Sequence, residues 1–328
     1  MATRVICYGL GPIGQGIARL ALSRPSITVV GAVDLDPAKV GRDLGEVLGG
    51  PPLGVLVSER ISALATANAD VVLHATGSAL ARVSGQLTEI MALGADIVST
   101  CEELSYPWTT QPQLAAELDT AARRAGVTIL GTGVNPGYAM DALPLMLTAP
   151  CASVEAVRVL RIVDAARRRG PLQKKVGAGL SPAAFAAQVA AGTVRHVGLP
   201  ESLHMLATSL GWQLDRTDDQ IEAIIAEREI VTEFAHVLPG QVAGVRQIAS
   251  GLRAGKELLR LELRMYVGAP NPQDTIEIDG NPPIKLTIEG GLHGDIATAA
   301  MVINAVASVA HAVPGLASMA DAPLVHYW

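Results

Sequence analysis

The first thirty-four residues contain the pattern that most restricts the fold: a short apolar strand, a glycine-rich turn and a helix. The turn has the form GxGxxG, with Gly9, Gly11 and Gly14, and a second apolar segment, Ile27–Val33, ends at Asp34. In this context the glycines allow a tight turn, close approach of a pyrophosphate and close helix packing, while the acid accepts hydrogen bonds from a ribose. The pattern therefore predicts a dinucleotide site in a Rossmann-type domain.

The rest of the chain contains two regions with different sequence patterns. Over residues 34–132, apolar strands alternate with helical segments, which predicts an α/β fold with a doubly wound parallel sheet. Over residues 229–289, apolar and polar residues alternate between turns, as in an antiparallel sheet. We predict a dinucleotide-binding domain at 1–134, completed by a C-terminal helix and tail at 295–328. An α+β domain for substrate binding and dimerisation, built on a mainly antiparallel sheet, is expected at 135–294.

Local patterns predict helices over residues 37–48, 138–147 and 218–227. A basic run at 167–175 is typical of a solvated loop, with an anion site as the alternative.

Composition excludes several classes of partner and location. A net charge of −6 and a pI near 5.7 argue against nucleic acid or an anionic membrane as the main partner. The apolar stretch at 296–316 is interrupted by polar residues, so we expect a packed helix and no membrane span. Three scattered cysteines, Cys7, Cys101 and Cys151, fit neither a disulfide framework nor a zinc site. We expect no metal and a reducing, cytoplasmic location.

The end of the segment at 70–76 supplies further candidate cofactor contacts. Ala75, Thr76 and Gly77 should lie over the bound dinucleotide, because ligands bind beyond the carboxyl ends of parallel strands. His74 precedes them, and a single histidine near a strand end is more often a packed or hydrogen-bonded structural residue than a catalyst.

Two adjacent carboxylates, Glu102 and Glu103, follow the strand at 96–100 and should lie where the nicotinamide half of the cofactor arrives. Neighbouring side chains on an extended segment point in opposite directions, so only one is expected to face the ligand. A helix-start role for both acids is the alternative. No GxSxG, zinc-spaced histidine pair or GxxxxGK[ST] loop is present, so hydride transfer assisted by a carboxylate is the predicted chemistry.

Two glycine-rich loops are candidates for lining the substrate-binding site. The first, at 131–138, follows the last predicted strand of the nucleotide domain and is a natural crossing point into a second domain. The second, at 290–298, precedes the alanine-rich helix and is suited to form one wall of an interdomain cleft. His293 either faces that cleft or is solvated beside Asp295 as the helix N-cap, and both interpretations stay open.

Four strings carry a resemblance to a known family: GLGPIG at 9–14, DLDP at 34–37, CEELSYPW at 101–108 and GTGVNPGY at 131–138. They resemble the 2,4-diaminopentanoate dehydrogenases and their relatives, the native amine dehydrogenases, and the likeness covers nearly the whole chain. The family's fold is similar to dihydrodipicolinate reductase. Its members interconvert amines with ketones or aldehydes plus ammonia, using NAD or NADP.

The resemblance implies roles for individual residues. Glu102 would hold ammonia or the amine and move its proton, with Glu103 as the alternative. Together, the residue patterns and the resemblance give the predicted cofactor contacts, which are Gly9, Leu10, Gly11, Pro12, Ile13, Gly14, Asp34, Lys39, Ala75, Thr76, Gly77, Cys101 and Asn135. The predicted substrate pocket comprises Tyr138, Ala139, Met140, His293 and Thr298. The similar enzymes are homodimers, so a C2 dimer is expected.

The resemblance leaves the choice of cofactor and the physiological amine open. Asp34 favours NAD because its charge repels a 2′-phosphate, whereas Lys39 and Arg42 lie close enough in sequence to support NADP. NAD is the preferred prediction, with dual use as the alternative. An alcohol or hydroxy acid dehydrogenase and a non-catalytic dinucleotide sensor are the competing functional interpretations.

Overall fold

The computed structural model describes residues 2–167 and 170–328, so Arg168 and Arg169 of the basic run lie outside the described residues. The chain forms two compact units. The first comprises residues 2–138 and 293–328, and the second comprises residues 139–292.

Strands, α-helices and short 3₁₀ segments follow one another along the described residues. The strands are β1 (Thr3–Tyr8), β2 (Ile27–Val33), β3 (Val57–Ser58), β4 (Val71–His74), β5 (Asp96–Ser99), β6 (Thr128–Gly131), β7 (Ser153–Asp164), β8 (Arg216–Ile225), β9 (Ile230–Val231), β10 (His236–Val237), β11 (Val242–Arg253), β12 (Lys256–Tyr266), β13 (Gln273–Asn281), β14 (Ile284–Glu289) and β15 (Gly315–Ala317). The α-helices are α1 (Pro12–Leu22), α2 (Leu44–Val47), α3 (Leu80–Met91), α4 (Pro107–Thr110), α5 (Pro112–Ala125), α6 (Ala142–Leu147), α7 (Gly170–Lys175), α8 (Pro182–Ala190), α9 (Leu199–Ser209) and α10 (Gly294–Val309). The 3₁₀ segments are Ile61–Ala67, Glu102–Ser105 and Ala165–Arg167.

The first unit is built on a seven-stranded parallel sheet of order β15-β6-β5-β4-β1-β2-β3. The chain runs outward from β1 in one direction through β2 and β3 and in the other through β4 to β6. This reversal makes the carboxyl ends of β1 and β4 a topological switch point, where open α/β sheets bind their ligands. The predicted doubly wound parallel sheet is confirmed.

Helices cover both faces of this sheet, which explains its uninterrupted apolar strands. Val5 and Leu73 belong to a core with residues of α1 and α10, while Ile6 and Val72 belong to a core with residues of α3 and α5. The alanine-rich α10 packs on α1, and Ala305 within it is fully buried. Among the described residues, no helix is both long and apolar enough to cross a membrane.

The second unit contains a six-stranded mixed sheet of order β14-β13-β7-β12-β11-β8. Only the β7–β12 pairing is parallel among its described pairs, so the sheet is mainly antiparallel, as predicted. Its strands alternate: Leu259, Leu261 and Leu263 are fully buried on one face, whereas Arg260 and Glu262 between them form ion pairs on the other.

Three predicted helices differ from the structure. Residues 218–227 lie largely in strand β8, because pairing along β11 overrides the local helical pattern. Over 37–48 only the short α2 forms, after a turn closed by Asp43, whose carboxylate accepts hydrogen bonds from Gly45 N, Leu53 N and Gly54 N. Helix α6 begins later than predicted, at Ala142. The sequence patterns also missed β15, which pairs with β6.

Candidate functional site

The glycine turn after β1 is shaped by two close backbone approaches and one open position. Gly9 has φ +90°, and a Cβ there would lie 2.4 Å from the Ala75 carbonyl oxygen. A Cβ on Gly14 would lie 1.8 Å from the Gly9 carbonyl oxygen. A Cβ on Gly11 would meet no atom within 4 Å. Gly9 and Gly14 therefore close the turn, while Gly11 borders open space.

That open space lies at the N-terminus of α1, which starts with Pro12 and Ile13 after Gly11 as the N-cap. No side chain of the described residues caps this end of the helix. An uncapped helix N-terminus presents unpaired N–H groups and partial positive charge, both suited to phosphate. The turn thus fits the pyrophosphate of a dinucleotide, in agreement with the spacing of its glycines.

Asp34, at the end of β2, is held against the turn. Its Oδ2 accepts a hydrogen bond from Leu10 N at 2.6 Å, and its Oδ1 accepts one from Asp36 N at 2.8 Å. Lys39 Nζ lies 3.3 Å from both Asp34 Oδ2 and Asp36 Oδ2. Burial lowers the pKa of Lys39, but the two carboxylates outweigh this effect and raise its pKa above the ordinary value. Asp34 is fixed beside the turn with its nearest cation already paired.

The segment after β4 packs directly on the glycine turn. A Cβ on Gly9 would lie 3.0 Å from Thr76 Cγ2, so Ala75 and Thr76 both border this turn, and Gly77 follows them exposed at the surface. Thr76 Oγ1 donates to Gln86 Oε1 at 2.7 Å and contacts His74 Nε2 at 2.9 Å. The candidate cofactor residues from β1, β2 and β4 therefore lie together.

His74 is fully buried at the end of β4. Its Nδ1 lies 2.8 Å from Ser99 Oγ, and its Nε2 lies 2.8 Å from Gln86 Oε1. Burial lowers the pKa of its imidazole, and the hydrogen bond to Gln86 Oε1 only partly opposes this shift. His74 is thus a neutral residue inside a polar network. Sequence reasoning missed Ser99 and Gln86; a serine ending an apolar strand was the available signal for Ser99, and Gln86 offered none.

Glu102 and Glu103 lie on a 3₁₀ turn, so the expectation of an extended segment is wrong. Glu103 Oε2 accepts hydrogen bonds from Leu80 N at 2.8 Å and from Gln111 Nε2 at 2.6 Å. The first bond caps the N-terminus of α3, and the second ties Glu103 to the residue that precedes α5. Glu102 is half-buried one residue earlier, and its main-chain carbonyl accepts a hydrogen bond from Ser105 Oγ at 2.8 Å.

Cys101 connects the same turn to the segment after β4. Its thiol donates to the Ser78 carbonyl oxygen at 3.3 Å, and its main-chain N–H donates to Ser99 Oγ at 3.1 Å. Burial raises the pKa of the Cys101 thiol to about 12, with the neighbouring acids adding to the effect. The thiol is therefore neutral near pH 7 and serves as a packing and hydrogen-bonding group.

The loop after β6 contains buried polar atoms that lack partners. Within the described residues, neither Thr132 Oγ1 nor Asn135 Oδ1 has a hydrogen-bond partner. Val134 N donates to Thr298 Oγ1 at 3.3 Å, which ties this loop to α10. Because buried polar atoms are normally satisfied, the two orphaned oxygens indicate a place for a polar ligand group. Asn135 thus fits the cofactor role that the resemblance implies.

The remaining candidate pocket residues are more scattered. Tyr138 is half-buried at the end of the same loop, while Ala139 and Met140 begin the second unit and are almost completely buried. His293 is the N-cap of α10, where its Nδ1 accepts a hydrogen bond from Ile296 N at 3.5 Å. The expectation that Asp295 is the N-cap is therefore wrong. In the part of the chain that the structure describes, no cluster of His, Cys, Asp or Glu could hold a metal ion.

The parallel sheet, the glycine turn, Asp34 and the polar ends of β4 to β6 together define the protein as a dinucleotide-binding one of the Rossmann type. The chain belongs to the 2,4-diaminopentanoate dehydrogenase family, because the family model of the 2,4-diaminopentanoate dehydrogenase C-terminal domain matches residues 138–328. The model of the dihydrodipicolinate reductase N-terminus matches residues 3–99. The resemblance found in the sequence is confirmed, and the enzyme class is that of oxidoreductases acting on CH–NH₂ groups.

Individual relatives resemble the chain over nearly its full length. The 2,4-diaminopentanoate dehydrogenase of Acetoanaerobium sticklandii is 30% identical over 339 residues, covering 98% of this chain and 93% of the relative. The amine dehydrogenase of Streptomyces virginiae is 24% identical, covering 97% of this chain and 96% of the relative. The solved structure of the amine dehydrogenase from Mycobacterium smegmatis is 26% identical and has a TM-score of 0.88, covering 100% of this chain and 98% of that one.

Proposed function

We propose that this protein is an NAD(P)-dependent amine dehydrogenase that interconverts a small amine with the corresponding ketone or aldehyde plus ammonia. The observation that carries the proposal is the position of Glu102 on the 3₁₀ turn that follows β5. Glu103 Oε2 accepts hydrogen bonds from Leu80 N and Gln111 Nε2, and we assign Glu102, the acid to which the family resemblance gives this role, to the substrate. Its position beyond the end of β5 supports this assignment.

The proposed mechanism uses the Glu102 carboxylate in both directions. In reductive amination Glu102 holds the ammonium ion and accepts its proton, which leaves neutral ammonia able to attack the carbonyl carbon. The resulting acid returns a proton to the hydroxyl group that departs as water, so an iminium carbon is formed beside the cofactor site. The bound dinucleotide supplies the hydride in this direction and accepts it in the other.

The surroundings of Asp34 support NAD as the preferred cofactor. The Asp34 carboxylate stands beside the turn and would repel a 2′-phosphate, and Lys39 is already paired with Asp34 and Asp36. Arg42, the other candidate partner for NADP, lies 3.8 Å from Glu46 Oε2. NADP use would require these cations to change partners, so we propose NAD with weaker use of NADP.

The wider setting is also a proposal. We assign the first unit to dinucleotide binding and the second to substrate binding and dimerisation, with a C2 homodimer as the assembly. Tyr138, Ala139, Met140, His293 and Thr298 remain the predicted pocket residues. The unpaired thiols of the three cysteines support a reducing compartment, the cytoplasm.

A single assay tests the function. The purified protein is incubated with NADH or NADPH and a panel of small ketones and aldehydes, with and without ammonium, and oxidation of the cofactor is followed by absorbance. We expect turnover only when the carbonyl compound and ammonium are both present, and faster turnover with NADH. Turnover without ammonium would instead identify an alcohol or hydroxy acid dehydrogenase. Cofactor binding without any turnover would identify a sensor.

A further inference from the structure

The network around His74 joins two parts of the site that the sequence separates. On one side, His74 Nδ1 contacts Ser99 Oγ, which also accepts the hydrogen bond from Cys101 N at 3.1 Å. On the other side, His74 Nε2 contacts Thr76 Oγ1 at 2.9 Å. Cys101 immediately precedes the turn that carries Glu102, and Thr76 packs on the glycine turn at Gly9.

The partners allow one arrangement of protons around the imidazole. Gln86 Oε1 can only accept, so His74 Nε2 carries the proton and donates to it, with Thr76 Oγ1 also within reach. His74 Nδ1 is then an acceptor, and the Ser99 hydroxyl donates to it while accepting from Cys101 N. This single neutral tautomer satisfies the hydrogen bonds on both sides of the ring.

The imidazole itself has little freedom to reorient. Its ring packs edge-on against Tyr8, with ring centroids 5.5 Å apart and an interplanar angle of 78°, and the side chain is fully buried. A displacement of the ring would break contacts on both sides together. The ring is therefore a rigid link between the segment after β4 and the segment after β5.

We propose that His74 is a positioning residue for the reaction, in which one neutral imidazole places two different parts of the site. Through Ser99 it places the turn that carries Glu102, and through Thr76 it places the segment that borders the dinucleotide at Gly9. The first of these roles rests on the proposed function, because it concerns the proton-transferring acid. The second concerns dinucleotide binding alone.

Two substitutions separate the roles, because asparagine and glutamine each replace one ring nitrogen. His74→Asn puts an amide near the place of Nδ1 and retains a partner for Ser99. His74→Gln puts an amide near the place of Nε2 and retains a donor for Thr76 and Gln86. We expect His74→Asn to weaken NADH binding about tenfold and to keep kcat at saturating NADH, as loss of one hydrogen bond implies. We expect His74→Gln to keep the NADH dissociation constant and to lower kcat about tenfold.

The measurements are NADH titration by calorimetry, steady-state kinetics of reductive amination, and thermal unfolding of each variant. Equal effects of both variants on NADH binding and on kcat would overturn the proposal, as would losses of thermal stability alone. If either variant fails to fold, Thr76→Val tests the contact between His74 and Thr76, and Ser99→Ala tests the contact between His74 and Ser99. Thr76→Val should then weaken NADH binding, and Ser99→Ala should lower kcat with NADH binding retained.

Hydrogen exchange gives a readout that does not depend on turnover. The main-chain N–H of Cys101 should exchange about tenfold faster in His74→Gln than in the wild type, and at an unchanged rate in His74→Asn. If the wild type binds NADH but aminates no ketone, the proposed function fails while exchange and NADH titration still test His74. An unchanged exchange rate at Cys101 in His74→Gln would contradict the proposed link through Ser99, whatever reaction the enzyme catalyses.

Discussion

The two sheets of this protein hold their polar side chains in different places. In the parallel sheet, His74 and Ser99 are the last residues of β4 and β5, at strand ends. In the mixed sheet, Arg246 and Glu262 lie within β11 and β12, on one face of the strands. A parallel sheet covered on both faces can present polar groups only at its ends, whereas a sheet with one apolar face can carry charges along the other.

On the charged face of the mixed sheet, Glu262 is paired with three arginines. Glu262 Oε1 lies 2.7 Å from both Arg246 Nε and Arg264 NH2, and its Oε2 lies 3.2 Å from Arg260 NH2. Burial raises the pKa of Glu262, but the bonds from Arg246 and Arg264 outweigh it and lower the pKa to about 2. A carboxylate with three guanidinium partners contributes to stability and is unsuited to proton transfer near neutral pH. Surroundings, more than residue type, therefore separate structural acids from reactive ones.

The largest effect is expected from substitutions of the two neighbouring acids that follow β5, Glu102 and Glu103. Glu102→Ala should lower the turnover of reductive amination about 10²–10⁴-fold, because a general acid–base group is lost. Glu103→Ala should keep turnover within about threefold but cost about 1 kcal/mol of stability, because Leu80 N and Gln111 lose their acceptor. Kinetics at saturating ammonium and urea unfolding measure the two quantities. Normal turnover in Glu102→Ala would refute the role of this acid.

A second pair of substitutions separates folding from binding at the glycine turn. Gly14→Ala places a Cβ 1.8 Å from the Gly9 carbonyl oxygen, so we expect a loss of about 1–3 kcal/mol in unfolding free energy. Gly11→Ala meets no atom within 4 Å and should fold normally, yet weaken NADH binding at least about tenfold by filling the space proposed for the pyrophosphate. Calorimetric titration and urea unfolding distinguish the two. Unchanged NADH affinity in Gly11→Ala would place the pyrophosphate elsewhere.

The smallest effect belongs to the charged face of the mixed sheet. The pKa of Glu262 in the folded state, about 2, lies below its ordinary value of 4.5, so its stabilisation is present above that value and is lost as pH falls toward 2. Glu262→Gln should lower the unfolding free energy by about 1–2 kcal/mol at pH 7, after allowance for solvent screening. The difference from the wild type should shrink below about pH 4.5.

The matched control is Glu277→Gln, which removes an exposed pair with Lys285. This change should cost less than about 0.5 kcal/mol at any pH. Urea unfolding of both variants between pH 7 and 3 makes the measurement. Equal losses in the two variants, or a loss in Glu262→Gln that persists unchanged to pH 3, would show that the arginine cluster does not act through the charge of Glu262.

The spacing of nearby residues in the sequence was enough to predict much of the fold of the first unit. The glycines at Gly9, Gly11 and Gly14 and the acid at Asp34 predict the turn, the helix and the dinucleotide class, because their roles depend on a few neighbouring residues. The alternation in β11 and β12 predicts the mainly antiparallel sheet for the same reason. The family resemblance rests on strings of this local kind.

Tertiary structure decided the features that depend on distant partners. Residues 218–227 have a helical pattern, yet β8 forms because β11 offers a complete pairing edge. The two adjacent glutamates are equivalent in sequence, and folding brings Leu80 N and Gln111, 23 and 8 residues away, to the carboxylate of Glu103. His74 likewise acquires its role from Ser99, 25 residues on. Spacing along the chain sets what a residue is able to do, but hydrogen-bond partners brought together by folding decide which of these roles it performs.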